Sequence, residues 1–288
     1  MMFWYRIFYG FCWILALLPL RCLYLISDLL FLIVYYVVGY RRKVVMENLR
    51  NSFPEKTEKE RRQIERKFYR FICDLFIETV KMVNIDTAQI RRRIKYKNPE
   101  IFDDLYSKGK QILFGLGHYG NWEWIASLEP TIPYHLSTLY RPLHNKVFDK
   151  FFYEMRTKYG TDAIPSKLAI RAINRYREEN RLTALGFLAD QSPPRDAIQH
   201  WTTFLNQDTP IYIGLEKLAR RYNTAVLYYE TLRIKRGYYE VHVTLITENA
   251  AQTTEMEITD KNVQLLEETI RRNPQYWLWS HRRWKHRR

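Results

Sequence analysis

The chain has 288 residues, which is enough for one large domain or two small ones with a substantial core. Its 46 Lys and Arg outnumber 31 Asp and Glu, and the formal net charge of +15 favours an anionic partner: a nucleic acid, an anionic membrane surface, a phosphorylated substrate or an acidic protein. The three cysteines are too few and too scattered for a disulfide framework, which excludes the small disulfide-stabilised class.

Residues 1–40 are predicted to form a membrane anchor. Large apolar and aromatic side chains dominate residues 3–38, and the run over 22–40 is long enough to span, or nearly span, a bilayer as a helix. Three charged side chains interrupt the segment: Arg6, Arg21 and Asp28. A cleavable signal peptide fits less well, because Pro19 splits the apolar part and no small-residue cleavage site follows.

The cationic cluster Arg41-Arg42-Lys43 follows the apolar segment directly. Because loops rich in Lys and Arg stay in the cytoplasm, the cluster predicts a cytoplasmic location for the rest of the chain. Two other arrangements are open: a pair of buried helices in a soluble protein, and a hairpin that lies in the membrane interface with Trp and Tyr at both ends.

Residues 41–105 are predicted to be a helical lead segment. Within it, residues 58–83 carry charged side chains on one side and apolar side chains at helical spacing on the other. We expect this apolar stripe to pack against the catalytic body or the membrane.

From about residue 106 onward, strands and helices alternate. The predicted strands cover 111–117, 134–140, 183–189, 224–234 and 238–246. The predicted helices cover 121–128, 144–159, 166–180, 210–222 and 260–272. This alternation predicts an α/β fold with a mixed sheet flanked by helices, in which the last two strands form a hairpin. Residues 106–288 are expected to be the catalytic domain, and 41–288 to form one compact unit.

The most informative stretch is His118-Tyr119-Gly120-Asn121-Trp122-Glu123, which follows a buried strand. Asn121 can cap a helix that places Glu123 in its first turn, where the helix dipole favours an anion. Two residues five apart on a regular helix diverge by roughly 140°. His118 therefore meets Glu123 only from the turn before the helix, where the two would form a base and its orienting carboxylate.

Polar side chains follow three of the predicted strands at their carboxyl ends: His118, Arg141, and Asp190 with Gln191. Ligands of open α/β sheets collect at this edge, so a base, a cation and a carboxylate there predict a site. The alternatives are that His118 is a helix cap or core residue, that Arg141 is a surface residue and that Asp190 only forms a turn.

Several other site classes lack their sequence signatures. The remaining six histidines show no ligand spacing such as His-Glu-x-x-His, so no metal site is predicted. The chain also has no nucleophile elbow, no phosphate-binding glycine loop and no dinucleotide fingerprint, and we expect no cofactor.

Residues 276–285 mix aromatic and cationic side chains, among them Arg282 and Arg283. Membrane interfaces favour this mixture, and so does single-stranded nucleic acid. The apolar amino terminus favours lipid, so no nucleic acid partner is expected.

Taken together, these motifs resemble the bacterial lipid A biosynthesis acyltransferases, the late lauroyl/myristoyl type related to glycerophospholipid acyltransferases. The resemblance covers nearly the whole chain. The blocks that carry it are the amino-terminal anchor, Arg42 through Asn48-Leu49 to Phe53-Pro54, Gly117–Glu123, Tyr140-Arg141-Pro142, Ala189-Asp190-Gln191 and Trp279-x-His281-Arg282-Arg283-Trp284-Lys285. The segment Thr203-Phe204-Leu205-Asn206 departs from the family, which usually has a glycine after an aromatic residue there.

The resemblance implies an O-acyltransferase at the bacterial inner membrane, with its catalytic domain on the cytoplasmic side. His118, oriented by Glu123, would remove the proton of a lipid hydroxyl that attacks an acyl thioester, for which acyl–acyl carrier protein is the expected donor. Arg141 would bind the phosphate of a lipid A precursor. The other residues expected to bind substrate are Asn121, Asp190, Gln191, Arg282 and Arg283.

Two alternatives are open at this point. The enzyme could acylate another lipid, such as a lysophospholipid or an aminolipid, because these acyltransferases share most of the motifs. In a different class, the chain would be a non-catalytic basic protein that binds anionic lipid or nucleic acid and retains that binding without His118.

Overall fold

The computed structural model describes residues 2–286 and residue 288. Its strands are β1 (Ile94–Tyr96), β2 (Ile112–Leu116), β3 (His135–Tyr140), β4 (Asp162–Pro165), β5 (Thr183–Leu188), β6 (His200–Phe204), β7 (Gln207–Ile211), β8 (Ala225–Lys235) and β9 (Tyr238–Thr247). Its α-helices are α1 (Met2–Leu17), α2 (Leu20–Leu32), α3 (Arg42–Ser52), α4 (Glu58–Lys81), α5 (Thr87–Arg91), α6 (Glu100–Ser107), α7 (Lys146–Thr157), α8 (Ala169–Glu178), α9 (Gly214–Tyr222) and α10 (Glu257–Arg272).

Seven strands form one mixed sheet in the order β1-β9-β8-β2-β5-β3-β4. Strands β2, β3, β4, β5 and β8 run parallel, and β9 returns antiparallel to β8 as the predicted hairpin. Every residue of β2 is buried, as expected for a central strand covered on both faces. The carboxyl ends of the parallel strands meet at one edge of the sheet, called the strand-end edge below.

The predicted α/β class with a mixed, helix-flanked sheet is confirmed, and each of the five predicted strands is present within two residues of its expected bounds. Short elements were missed: the edge strands β1 and β4, and the separate hairpin β6–β7. Strands of three to five residues without alternating hydrophobicity give too weak a pattern to be read from sequence. The predicted helix over 121–128 is instead a 3₁₀ helix over Trp124–Thr131.

The two amino-terminal helices each have one face on the body of the protein and one face exposed. Helices α1 and α2 pack on α4, and α1 also packs on α7. The outward faces are strongly apolar, with exposed fractions of 68% at Phe3 and 70% at Leu25. Residues Leu20–Val38 form one continuous helix, ending in a π-helical turn, that is long and apolar enough to cross a membrane by length and composition.

Helix α4 begins with a capping box between Thr57 and Glu60, and its apolar stripe is largely buried as predicted. Its buried face also carries three acids, Glu65, Asp74 and Glu78. Asp74 accepts a hydrogen bond from Ser27 of α2 and pairs with Arg233 and Arg236 at the β8–β9 hairpin. These contacts fasten the amino-terminal helices to the sheet.

Candidate active site

His118 and Asp190 meet at the strand-end edge, directly after the adjacent strands β2 and β5. The imidazole Nδ1 lies 2.6 Å from Asp190 Oδ1, and the backbone N–H of His118 donates to Asp190 Oδ2 over 2.8 Å. Gln191 Nε2 lies 3.3 Å from the other ring nitrogen, Nε2. The parallel register therefore brings together three of the residues predicted from strand ends.

Asp190 is buried, yet its carboxylate is stabilised in the ionised form. Burial raises the pKa of this carboxyl, but the charge and hydrogen bonds of His118 and the indole N–H of Trp277, 2.8 Å away, outweigh burial and lower the pKa to about 2. An ionised Asp190 accepts a hydrogen bond from Nδ1–H of the neutral imidazole, which leaves the lone pair on Nε2, where it can act as a base.

Glu123 does not hold the imidazole as expected, and this corrects the predicted geometry. Its carboxylate accepts two hydrogen bonds from Arg156 of α7, over 2.7 and 2.9 Å, and one from Trp122 Nε1. Burial raises the pKa of Glu123, but the charge of Arg156 and its hydrogen bonds lower it below the usual value. Within residues 2–286 the hydrogen-bonded carboxylate of His118 is Asp190, because the chain turns at Gly120 and carries Glu123 towards α7.

The turn at Gly120 requires glycine. Its φ is +61°, and a Cβ there would overlap the carbonyl oxygen of Thr231 in β8. The backbone N–H of Gly120 also donates to the carbonyl of Tyr276. The loop that presents His118 is therefore held between the sheet and the carboxyl-terminal segment.

Three large side chains of that carboxyl-terminal segment, Trp277, Trp279 and Arg283, are buried, which differs from the interfacial position that its composition favours. Trp277 and Trp279 are 2% and 0% exposed, and the backbone N–H of Leu278 donates to the carbonyl of His118 over 3.1 Å. His281 Nε2 accepts a hydrogen bond from the backbone of Ser192, and burial lowers the pKa of His281 to about 4. The segment closes the back of the site and keeps this second histidine neutral.

Asn121 is fully buried, and both the oxygen and the nitrogen of its side-chain amide form hydrogen bonds within the protein. Its Oδ1 accepts the backbone N–H of Trp124 over 3.1 Å, as the predicted cap, and its Nδ2 donates to Glu78 over 2.7 Å. This burial corrects the expectation that Asn121 contacts substrate. Glu78 in turn accepts hydrogen bonds from Tyr24 of α2 and Tyr239 of β9.

The three predicted cations lie in different environments. Arg141 and Arg282 are exposed. Arg283 is buried at 1% exposure and donates to the carbonyl of Pro210 over 2.7 Å, while its Nε and Nη1 have no partner among the described residues. Burial lowers the pKa of Arg283 to about 10, and nearby Asp190 opposes this shift. Arg283 is thus buried near Asp190 instead of lying at the surface, and both residues line a small cavity of about 20 Å³.

An internal cavity of about 30 Å³ lies beside the motif, lined by residues that include Leu116, Trp122, Glu123, Leu136 and Arg156. Its polar lining comes from the Glu123–Arg156 pair and from Ser137, Thr138 and Thr161, and it has room for little more than a water molecule. Residues 2–286 and 288 contain no group of three metal-ligating side chains that could hold an ion.

Sequence reasoning missed Arg156, Trp277 and Glu78 as parts of this arrangement. Arg156 gives no local signal, because it is one cation among several on α7. Glu78 does give a local signal, because it continues the apolar row of Phe71 and Leu75 along α4. An acid in such a buried row needs a hydrogen-bonding or charged partner.

A family model described as bacterial lipid A biosynthesis acyltransferase matches residues 1–286 of the chain. A comparison with curated proteins gave no match.

Proposed function

The chain belongs to the family of bacterial lipid A biosynthesis acyltransferases, and from this premise we propose that it moves a fatty acyl group from an acyl thioester to a hydroxyl of a lipid A precursor. The observation that carries the chemistry is the 2.6 Å contact between His118 Nδ1 and the ionised Asp190. It supports a base at Nε2, on the side of the ring away from Asp190.

The reaction needs no nucleophile from the enzyme, because a thioester is already activated. The acceptor oxygen attacks the thioester carbonyl while its proton passes to His118 Nε2. The new C–O bond forms, the C–S bond breaks, and the thiolate takes the proton back from the imidazolium. Asp190 stabilises the imidazolium that exists between these two transfers.

Glu123 has a different role from the one expected, namely as half of a buried ion pair with Arg156 next to the base. Two hydrogen bonds join Arg156 to Glu123, so the pair holds α7 against the loop between His118 and Glu123. The charge of His118 helps to lower the pKa of Glu123, which supports an electrostatic interaction between the two groups. We therefore assign Glu123 to electrostatic support of the imidazolium.

The substrates follow from the exposed charges and the family. Arg141 leaves β3 at the strand-end edge and is exposed, which suits a phosphate of the acceptor. The net charge of +15 suits an acidic acyl carrier protein as the donor, and Arg282 is exposed for either substrate. The Arg41-Arg42-Lys43 cluster supports a cytoplasmic site at the inner membrane.

The function is tested with purified protein, defined acyl–acyl carrier proteins and a panel of acceptors that includes lipid A precursors, lysophospholipids and aminolipids. We expect acyl transfer to the lipid A precursor and a loss of about 10²–10⁴-fold in His118→Ala. His144→Ala is the matched control, since His144 is exposed and makes no ion pair within residues 2–286. Transfer only to another lipid would show that the acceptor is not a lipid A precursor. Full activity in His118→Ala would show that His118 is not the base.

A further inference from the structure

Four large apolar side chains are exposed in two neighbouring segments at the strand-end edge. They are Leu143 and Phe148, after β3, and Leu168 and Ile170, after β4, with exposed fractions of 42, 39, 46 and 45%. The two segments adjoin because β3 and β4 pair up to Tyr140 and Pro165, and Ser166 Oγ donates to the carbonyl of Tyr140 over 3.0 Å. We call this set of four residues the apolar rim.

The apolar rim continues into the outward face of α1. Phe148 packs edge-to-face on Phe8 of α1 with ring centroids 5.1 Å apart. On the same helix, Phe3 and Trp4 are 68% and 67% exposed. One apolar surface therefore runs from the amino-terminal helix to the edge of the sheet where His118 lies.

Exposed cations lie between the apolar residues of the rim. Lys146, Lys167 and Arg171 are exposed, and none of them forms an ion pair with an acid of residues 2–286. Asp149, the acid nearest to Lys146 in sequence, accepts a hydrogen bond from the backbone N–H of Leu143. Unpaired cations interleaved with apolar side chains are the composition that binds anionic bilayers, since the apolar groups enter the headgroup region and the cations meet phosphates.

We propose that the apolar rim and these three cations form a second membrane-docking surface, which rests on an anionic bilayer and holds the strand-end edge at lipid headgroup depth. The inference builds on the proposed function, because a site that acylates a lipid must receive its acceptor from the bilayer. An acidic protein would pair with the cations but would not account for the apolar surface that continues from the rim onto α1. An anionic bilayer accounts for both the cations and this apolar surface.

Docking is measured directly with a fluorescent label whose emission depends on the polarity of its surroundings. The label is placed at Leu168→Cys or, as a matched control at another exposed leucine, at Leu245→Cys, in the full chain with Cys22→Ser. In vesicles of phosphatidylcholine with phosphatidylglycerol we expect the emission at position 168 to shift to the blue and to be quenched by lipids that carry a headgroup quencher. Position 245, on β9, should behave as in water. Equal behaviour of the two positions would overturn the proposal.

Charge reversal tests the cations and separates the possible partners. Lys167→Glu with Arg171→Glu should lower kcat/KM about tenfold for an acceptor in anionic vesicles, and leave it unchanged for an acceptor dispersed in detergent. Arg177→Glu with Lys261→Glu makes the same change in net charge at exposed positions outside the rim and should have no effect. A raised KM for the acyl carrier protein in detergent would identify a protein-docking surface instead and overturn the inference. If the wild-type protein transferred no acyl group at all, the proposed function would fail, while the label at position 168 would still decide the docking surface.

Discussion

At the scale of single residues, two carboxylates lie near His118, and their hydrogen bonds separate their roles. Asp190 binds the imidazole directly, whereas Glu123 is committed to Arg156. Both acids are buried, and each has a lowered pKa because its charged partners outweigh the cost of burial. The sequence predicted that Glu123, the acid closer to His118 along the chain, would orient the base. In the structure, Asp190 is the carboxylate that does so.

Asp190→Asn should reduce kcat by about 10³–10⁴-fold, because an amide at this position favours the wrong imidazole tautomer. The measurement is kcat with the acyl carrier thioester, for this variant and for Asp196→Asn. Asp196 is an exposed aspartate in the same loop, so its variant should retain full activity. Comparable activity in both variants would mean that Asp190 does not orient the base.

The lowered pKa of Asp190 also predicts how stability depends on pH. The folded-state pKa of about 2 is below the unfolded value of 3.8, so the stabilisation is fully present above about pH 4 and is lost as the pH falls towards 2. The difference in unfolding free energy between the wild type and Asp190→Asn should therefore shrink over that interval in urea titrations. A difference that stays constant from pH 6 to pH 2 would contradict this linkage.

At the scale of elements, the site depends on a tight turn between β2 and the 3₁₀ helix. Gly120 adopts a positive φ against β8, and Asn121 caps the 3₁₀ helix and donates to Glu78 of α4. The sequence indicated the turn and the cap, because glycine and asparagine act locally. The sequence did not indicate that β8, α4 and the carboxyl-terminal segment would contact this turn.

Gly120→Ala should destabilise the fold by more than about 1–2 kcal/mol and lower activity, because the new Cβ adds a steric overlap to an unfavourable φ. Gly214→Ala is a matched control at the first residue of α9, where a Cβ meets nothing within 4 Å. Thermal unfolding should show the first variant destabilised and the second unchanged or slightly stabilised. Equal melting temperatures would show that the turn tolerates a side chain.

At the scale of the whole molecule, the amino-terminal helices are joined to the catalytic body by ion pairs as well as by apolar contact. Asp28, the acidic residue of the apolar helix Leu20–Val38, pairs with Arg236 over 2.8 Å, and Arg236 also pairs with buried Asp74. Tyr24 of the same helix reaches Glu78, the partner of Asn121. Helix α2 and the loop that carries His118 and Asn121 are thus linked through α4.

Arg236→Met should loosen α2 from the body, because Asp74 keeps only Arg233 as a cationic partner and Asp28 loses its own. Hydrogen exchange of residues 20–32 in detergent should become faster in this variant. Lys235→Met removes a neighbouring exposed cation, which makes no ion pair within residues 2–286, and should leave exchange unchanged. Identical exchange in the two variants would mean that the charges do not hold the helix.

The sequence by itself determined the central strands, the apolar amino-terminal segment and the position of His118 and Asp190 at strand ends, because hydrophobic periodicity and turn residues act over a few positions. Only the tertiary structure decided which carboxylate meets the imidazole. Asp190 is 72 residues from His118 along the chain, and the parallel register of β2 and β5 brings them together. The packing of α7 likewise gives Arg156 to Glu123, and burial of the carboxyl-terminal segment turns Trp277 and Arg283 inward. Such partners depend on how distant elements pack, which no local pattern records.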